Sequence, residues 1–412
     1  MHRAAAAALS ALLLAVGGPV LGSCSATSPV TPSPVTAPQS VPAPEGGQVD
    51  PLLTSTLSTP RWFTGTDDKT HLVYELMLTN VVAADVTLSA VEVHDAGSGT
   101  LLMRLTGDEL RAATSLAASA DTPTATLTPS AVAVVWLDVP LADPAVPAAV
   151  THRLVTDPPT GIPGSGIAWT FIGPAVEVDR TPPVVLGPPL TGPGWAALGS
   201  CCDGPHRRAP YPIDGRWYLA QRFAIDFNQL DEQNRPGVGD PLSPRSFPTF
   251  GQPAYAVADG TVVAAVDGDP DLRVGEAREE PTPANAGGNR VVIDIGDGRF
   301  AIYAHLRRGS VTVRSGDTVS RGDRIAEVGS SGTSGGPHLH FQVSNQPSVV
   351  AADGLPYVFD SFDLTGQTPP LPEVLRYYDT LEPIPVSAGN TGPRRDQLPL
   401  GRDVVTFPPI EG

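Results

Sequence analysis

Residues 338–343 read His-Leu-His-Phe-Gln-Val (HLHFQV), an apolar strand that opens on two histidines. Alternate side chains of a strand share a face, so His338 and His340 are predicted to face one site, with Leu339 buried behind them. The Gly-rich segment 332–337 (GTSGGP) precedes the strand and can bring a substrate backbone close. Two edge-strand histidines would give the same pattern, so other residues must decide between the interpretations.

Two further segments carry chemistry of the same kind. His305 lies in Tyr-Ala-His-Leu (303–306), and Asp226 lies in Ala-Ile-Asp-Phe (224–227), a carboxylate between apolar neighbours. A buried carboxylate is costly unless it is paired or bound to a metal. Zinc prefers imidazole nitrogen and carboxylate oxygen, and a catalytic site usually offers three protein ligands. These residues therefore favour a zinc site.

About a quarter of the chain resembles the lysostaphin/LytM-type zinc metallopeptidases of the bacterial cell wall. The matching segments are 251–263 (GQPAYAVADGTVV), 288–298 (GNRVVIDIGDG), 303–306 (YAHL), 316–332 (GDTVSRGDRIAEVGSSG) and 337–343 (PHLHFQV). The resemblance implies an antiparallel β-sheet domain with its site in a groove. It also implies Zn²⁺ as cofactor and peptide stems or cross-bridges of peptidoglycan as substrate, without specifying the bond.

The resemblance assigns roles residue by residue. Asp226 and His340 correspond to zinc ligands, and His338 and His305 flank the attacking water as catalytic residues, one as general base and the other stabilising the oxyanion. Asn289 and Arg222 are predicted to bind substrate. Arg222 could instead pair with a carboxylate of the chain.

The chain departs from the family pattern at the first ligand. The family motif is HxxxD, but Arg222 stands four residues before Asp226, and Arg cannot ligate zinc. The segment 221–226 (QRFAID) resembles a branch of the family that has a His upstream. His206 is therefore predicted to be the third ligand, returned to the site by a hairpin over 211–219; the alternative is a surface His in an Arg-rich loop.

Three functions stay open at this point. The first is a zinc metalloendopeptidase that hydrolyses peptidoglycan. The second is a degenerate LytM-like domain that regulates other wall hydrolases without catalysis, and the discriminating feature is whether His206 completes the ligand set. The third is a module in which the N-terminal domain dominates by binding the wall or a partner.

The rest of the chain indicates an all-β protein of two domains. Alternating segments at 71–79, 86–93, 131–139 and 169–178 predict an immunoglobulin-like β-sandwich over 55–180. Residues 181–195 are interpreted as a linker, 196–365 as the peptidase domain and 366–412 as a Pro-rich tail that wraps the surface or dangles. The isolated histidines of the sandwich are predicted to lie at the surface or at strand ends: His71, His94 and His152.

The N-terminus predicts export. Residues 1–23 resemble a lipoprotein signal peptide, and Leu21-Gly22-Ser23-Cys24 resembles a lipobox, so Cys24 is expected to be lipidated and to anchor the chain outside the cell membrane. The alternative is an ordinary signal peptide cut near Gly22. Residues 24–54 form a Pro/Ser/Thr-rich tether.

The net charge of −17 argues against nucleic acid as a partner. Cys201 and Cys202 form either a vicinal disulfide or two thiols.

Overall fold

The computed structural model describes residues 48–158, 166–202, 204–277 and 282–410. The predicted signal peptide, Cys24 and most of the predicted tether therefore lie outside the described residues. The described part of the chain is built mostly of strands in antiparallel sheets, which confirms the all-β prediction. Within these ranges, no helix is long and apolar enough to cross a membrane.

The N-terminal domain contains two sheets. Its elements are β1 (Leu52–Thr56), β2 (Arg61–Thr64), β3 (Thr70–Asn80), β4 (Val86–Asp95), β5 (Leu101–Thr106), α1 (Gly107–Ala112), β6 (Thr114–Leu116), β7 (Ser119–Pro123), β8 (Thr126–Leu127), β9 (Val132–Leu141), β10 (Ala149–Asp157), β11 (Thr170–Ile172) and β12 (Val176–Glu177). One sheet has the order β1-β3-β9-β6-β7 with β2 beside β3. The other has the order β11-β10-β4-β5, with β12 beside β10 and β8 beside β4.

The core of this domain lies between the two sheets. The alternating side chains Leu72, Tyr74 and Leu76 of β3 are buried in the same cluster as Val91 and Val93 of β4. These alternate residues share one face, as the period-2 sequence pattern predicts, and the residues between them, Val73 and Glu75, are buried on the other face. The domain is thus a β-sandwich, and its immunoglobulin-like topology stays a prediction.

The sandwich histidines differ from the surface prediction. His152 is buried, and its Nε2 lies 2.7 Å from the Tyr74 hydroxyl. His71 is also buried, stacked on Phe63, although as the second residue of β3 it does lie at a strand end. His94 stands near the end of β4, as predicted. Isolated histidines give no periodic signal of their own, so the packing partner decides their burial.

The second domain centres on a ten-stranded antiparallel sheet. Its elements are β13 (Val184–Leu186), β14 (Gly192–Leu198), β15 (Tyr211–Ile213), β16 (Arg216–Tyr218), β17 (Ile225–Gln229), β18 (Pro253–Tyr255), β19 (Gly260–Val266), β20 (Asn289–Asp294), β21 (Phe300–Leu306), β22 (Thr318–Val319), β23 (Arg324–Glu327), β24 (Leu339–Ser344), β25 (Tyr357–Phe359), β26 (Phe362–Gln367), α2 (Leu371–Thr380), β27 (Gly392–Arg394) and β28 (Asp403–Phe407). The sheet order is β22-β19-β20-β21-β24-β17-β14-β28-β26-β27.

The predicted linker and tail are parts of this domain, so both interpretations are wrong. β13 pairs with β25, and β14 begins at Gly192, inside the segment predicted to be a linker. β28 comes from the predicted tail and lies between β14 and β26 in the sheet. The high Pro and Gly content of both segments hides the strand pattern in the sequence. The strands β25 and β14, with which β13 and β28 pair, also lie far away along the chain.

Candidate metal centre

Two of the predicted ligands face each other across neighbouring strands. Asp226 of β17 is the register partner of His340 of β24. Their strand neighbours Phe227 and Leu339 point into the core beneath the sheet. Asp226 and His340 therefore project from the opposite face, and Asp226 Oδ1 lies 2.9 Å from His340 Nδ1.

His206 joins this pair from a loop. Its Nε2 lies 3.2 Å from Asp226 Oδ2, and its Nδ1 faces the carbonyl oxygens of Gly199 at 3.1 Å and Ala224 at 3.3 Å. One ligand atom from each of His206, Asp226 and His340 lies within 4.8 Å of the others. The structure thus brings together the three residues predicted to bind metal.

The backbone before Asp226 is turned rather than extended. The strand begins only at Ile225, and residues 219–224 form successive turns. The amide of Ala224, for example, donates to the carbonyl of Gln221. The predicted hairpin is present as β15 and β16, with Asp214 and Gly215 at its turn. The loop from Gly199, however, carries His206 directly to the sheet.

Hydrogen bonds determine which ring nitrogen of each ligand keeps a lone pair. Gln342 Nε2 donates to Ser344 Oγ, so Gln342 Oε1 is the acceptor that faces His340 Nε2 at 2.8 Å. His340 therefore carries its proton on Nε2 and turns the Nδ1 lone pair toward Asp226. His206 donates Nδ1–H to backbone carbonyls and turns its Nε2 toward the same carboxylate.

This arrangement fits a bound cation. A nitrogen lone pair 2.9 Å from a carboxylate oxygen is repulsive unless a proton or a metal ion compensates the negative charge. Two imidazole nitrogens and one carboxylate are also the donor set that zinc prefers, and the far ring nitrogen of a ligating His usually donates a hydrogen bond to the protein, as it does here. The residues present therefore fit zinc.

His305 and His338 lie beside the three candidate ligands. Their ring centroids are 4.8 Å apart, and ligand atoms of His305, His338 and His340 lie within 4.8 Å of one another. His305 Nδ1 donates to the Ser331 carbonyl at 2.8 Å, and His338 Nδ1 donates to the Gly336 carbonyl at 2.8 Å. Both rings therefore keep an unprotonated Nε2 when neutral.

The pKa shifts at the site follow from burial and from the neighbouring charges. Burial, with the charges of His338 and His340, lowers the pKa of His305 well below its usual range. Burial also lowers the pKa of His338, although Asp226 opposes that shift. Burial would raise the pKa of Asp226, but His206 and His338 outweigh it and hold this pKa well below the usual range. At neutral pH the site thus presents a carboxylate and two uncharged imidazoles.

The His305 ring is held by a strained backbone and a close loop contact. His305 has φ of +60°, which is uncommon outside glycine, and its amide donates to the Gly287 carbonyl. The loop that provides Ser331 packs against Gly288, where an added Cβ would lie 2.5 Å from the Gly332 nitrogen. A glycine in each loop allows this approach.

Neither residue predicted to bind substrate reaches the site. Arg222 is 1 % exposed, and its guanidinium pairs with Glu75 of the sandwich. This pairing with a carboxylate of the chain is the alternative considered for Arg222 in the sequence. Asn289 is buried, and its amide bonds the backbone of Asp269 and Leu306. Both predictions of substrate contact are therefore wrong: local sequence does not show what a side chain packs against.

Sequence reasoning missed Gln342 and Ser331. Gln342 was accessible from the pattern, because it lies two residues after His340 in HLHFQV and must share its face. Ser331 orients His305 through its backbone carbonyl, and because every residue has a backbone carbonyl, the sequence gives no signal for this role.

A second grouping of ligand-type residues lies against the sandwich. His71, Asp138 and Cys202 have ligand atoms within 4.8 Å of one another. Cys202 forms a disulfide with Cys201, and both nitrogens of His71 face carboxylates, at 2.8 Å from Asp138 and 3.0 Å from Asp67. Because its sulfur is oxidised and its imidazole already paired, this group is not assigned as a metal site.

Comparison with known proteins identifies the domain. Residues 246–352 match the model of peptidase family M23, a range that includes His305, His338 and His340 and begins after His206 and Asp226. A protein of Haemophilus influenzae described as an uncharacterized metalloprotease is 31% identical over 168 residues, which are 38% of this chain and 34% of that protein. The peptidoglycan DD-endopeptidase ShyA of Vibrio cholerae is 31% identical over 137 residues, 32% of this chain and 26% of that protein.

The chain thus spans about a third or less of the length of these relatives. Among solved structures, the catalytic domain of lysostaphin from Staphylococcus simulans is 23% identical, with a TM-score of 0.20 over 38% of this chain and 84% of that chain. The match of residues 246–352 to the model of peptidase family M23 confirms the resemblance found in the sequence.

Proposed function

We propose that this protein is a zinc metalloendopeptidase that hydrolyses peptide bonds of peptidoglycan. One observation carries the proposal: His206, Asp226 and His340 offer three ligand atoms within 4.8 Å, and the free Nε2 atoms of His305 and His338 lie beside them. A binding module has no need of two uncharged imidazoles at a ligand cluster, whereas hydrolysis requires a base and a proton donor.

His206, Asp226 and His340 would hold the metal. Zinc supplies Lewis acidity in such sites, lowering the pKa of water to about 7 and polarising the scissile carbonyl. The protein's own contribution is the set of hydrogen bonds that orient each ring.

His338 is the proposed general base. Its Nε2 lies 3.4 Å from Asp226 Oδ1, so the carboxylate stabilises the imidazolium that forms when His338 takes a proton. His338 can then deliver this proton to the leaving amine. The Nδ1–H of His338, held by the Gly336 carbonyl, keeps the ring in the tautomer that accepts at Nε2. Burial holds the pKa of His305 well below its usual range, so this imidazole remains uncharged beside His338.

The substrate class rests on the relatives. Two curated relatives from Vibrio cholerae are named peptidoglycan DD-endopeptidases. The family match includes His305, His338 and His340 of the site. Because the site lies in the matched region, peptidoglycan peptide is proposed as the substrate of this protein as well.

Metal content and peptide release test the proposal together. Purified protein should contain about one zinc per chain by elemental analysis and should release peptides from purified peptidoglycan, detected by mass spectrometry. His340→Ala should abolish both. A preparation with neither zinc nor peptide release would favour a regulatory domain that acts on other hydrolases.

We also propose that the protein is exported and anchored by lipidated Cys24, with the tether holding the folded domains away from the membrane. The basis is Leu21-Gly22-Ser23-Cys24 after an apolar run. A fatty-acid analogue should label the wild-type protein and leave Cys24→Ser unlabelled; equal labelling of both would contradict lipidation.

A further inference from the structure

We infer that the N-terminal sandwich is part of the metal centre, with Glu75 as a positioning residue that anchors both segments carrying His206 and Asp226. The inference rests on the proposed metal site. It assigns to the sandwich a role in building the centre, distinct from binding the wall.

β3 of the sandwich presents one face to each domain. Tyr74 and Leu76 point between the two sheets of the sandwich, whereas Val73 packs in the core of the peptidase domain. Glu75 alternates with Tyr74 and therefore shares the face of Val73. Its side chain is 0 % exposed, so a carboxylate is enclosed between the two domains.

Arg207 is the next residue after the candidate ligand His206, and its side chain reaches into the sandwich. It is 2 % exposed, and its Nη2 donates to the carbonyls of Tyr74, at 3.2 Å, and Leu137. Its Nε lies 3.8 Å from Glu75 Oε1. Because one peptide bond separates Arg207 from His206, the sandwich constrains where that imidazole can lie.

Arg222 provides the second anchor. Its Nη1 donates to Glu75 Oε2 at 3.3 Å and to Ser58 Oγ, and its Nη2 donates to the Thr59 carbonyl at 3.3 Å. Two residues later, the Ala224 carbonyl accepts the His206 Nδ1–H bond. Asp226 follows two residues after that. Arg222 therefore connects Glu75 to the backbone that holds one ligand and supports another.

The charges make Glu75 the shared counter-ion. One buried carboxylate stands between two guanidinium groups that are almost fully buried, so removing its charge takes away an anion that both cations face. Relaxation of either Arg displaces a segment that ends at a ligand. Metal affinity is therefore expected to depend on Glu75, although Glu75 touches no ligand.

Glu75→Gln in the full chain tests this, with Glu92→Gln as the matched control. Glu92 is also a buried sandwich carboxylate paired with Arg, but its partners Arg104 and Arg153 lie within the sandwich. Zinc Kd is measured by competition with a chromogenic chelator, and apo-protein stability by urea unfolding. We expect Glu75→Gln to raise the zinc Kd by about tenfold or more, as for outer-shell partners of metal sites, and Glu92→Gln to leave it within about twofold.

Equal zinc Kd values for Glu75→Gln and Glu92→Gln would overturn the inference, whatever their urea midpoints. If the wild type binds no zinc, the proposed function fails instead, so the two failures are distinguishable. Should Glu75→Gln not fold, Arg222→Lys decides. Lys at position 222 keeps the positive charge but loses the two-pronged guanidinium contacts with Glu75, Ser58 and Thr59. We expect this variant to raise the zinc Kd by at least about threefold. An unchanged zinc Kd would also overturn the inference.

Discussion

The carboxylate of Asp226 and the imidazole of His340 face each other as direct cross-strand neighbours, with 2.9 Å between Oδ1 and Nδ1. A slip of one residue in this register would turn one of them into the core. Two candidate ligands thus stand on the rigid centre of a sheet, and the third, His206, comes from a loop that the sandwich supports.

We expect His340→Ala, Asp226→Ala and His206→Ala each to weaken zinc binding by orders of magnitude, because each removes one of three ligands. Zinc per chain after dialysis is the measurement, and His94→Ala in the sandwich is the control. A His206→Ala protein that keeps wild-type zinc affinity would show that His206 is not a ligand.

His338→Ala is expected to keep its zinc and to lose kcat by roughly 10²–10⁴-fold, the usual contribution of a general base. The structural reason is that the His338 Nε2 lies beside the candidate ligand cluster, while three other residues are the proposed ligands. Zinc content and single-turnover cleavage of peptidoglycan check this. If His338→Ala loses zinc and His340→Ala retains it, the two roles are reversed.

Gly199→Ala should weaken zinc binding. Gly199 has φ of +67°, and an added Cβ would lie 2.9 Å from the His206 ring. Gly215→Ala is the matched control, because Gly215 has φ of +74° and no atom within 4 Å of the added Cβ. Both variants bear the same kind of backbone strain, at about 1 kcal/mol, but only Gly199→Ala pushes on a ligand. Equal zinc Kd values for the two variants would contradict this prediction.

Acid should destabilise the sandwich through His152. Burial lowers the pKa of His152 from 6.5 to about 4. Between these values the unfolded chain binds a proton that the folded chain does not, so stability present above pH 6.5 is lost as the pH falls toward 4. A shift of this size corresponds to about 3 kcal/mol. We expect His152→Gln to flatten the fall in the free energy of unfolding between pH 6.5 and 4; parallel curves for both proteins would contradict the assignment.

The C-terminal segment should be essential to the fold. Val405 of β28 is fully buried, and its neighbour Thr406 is only partly buried. Val405→Asp places a charge in the core and should cost about 3 kcal/mol or more in unfolding free energy. Thr406→Asp should cost less than about 1 kcal/mol. Urea unfolding measures both free energies of unfolding. A loss for Val405→Asp as small as that for Thr406→Asp would mean that β28 is dispensable.

Some features of the site could be predicted from local pattern. The alternation in HLHFQV places His340, and with it Gln342, on one face of a strand because the strand period is a property of the backbone. The hairpin predicted over 211–219 turns at Asp214 and Gly215, residues that tolerate positive φ, and it appears where expected. The apolar runs likewise predicted the all-β class.

Tertiary structure decided the partners. The sequence by itself determined which faces the site histidines occupy and which residue types could bind a metal. Only the folded chain brought His206 to Asp226, buried Arg222 against Glu75 and inserted β28 into the sheet. Backbone periodicity is local and can be read along the chain, whereas burial and side-chain pairing depend on segments that lie far away in sequence, such as those of Thr66 and Asp403, and local sequence carries no record of them.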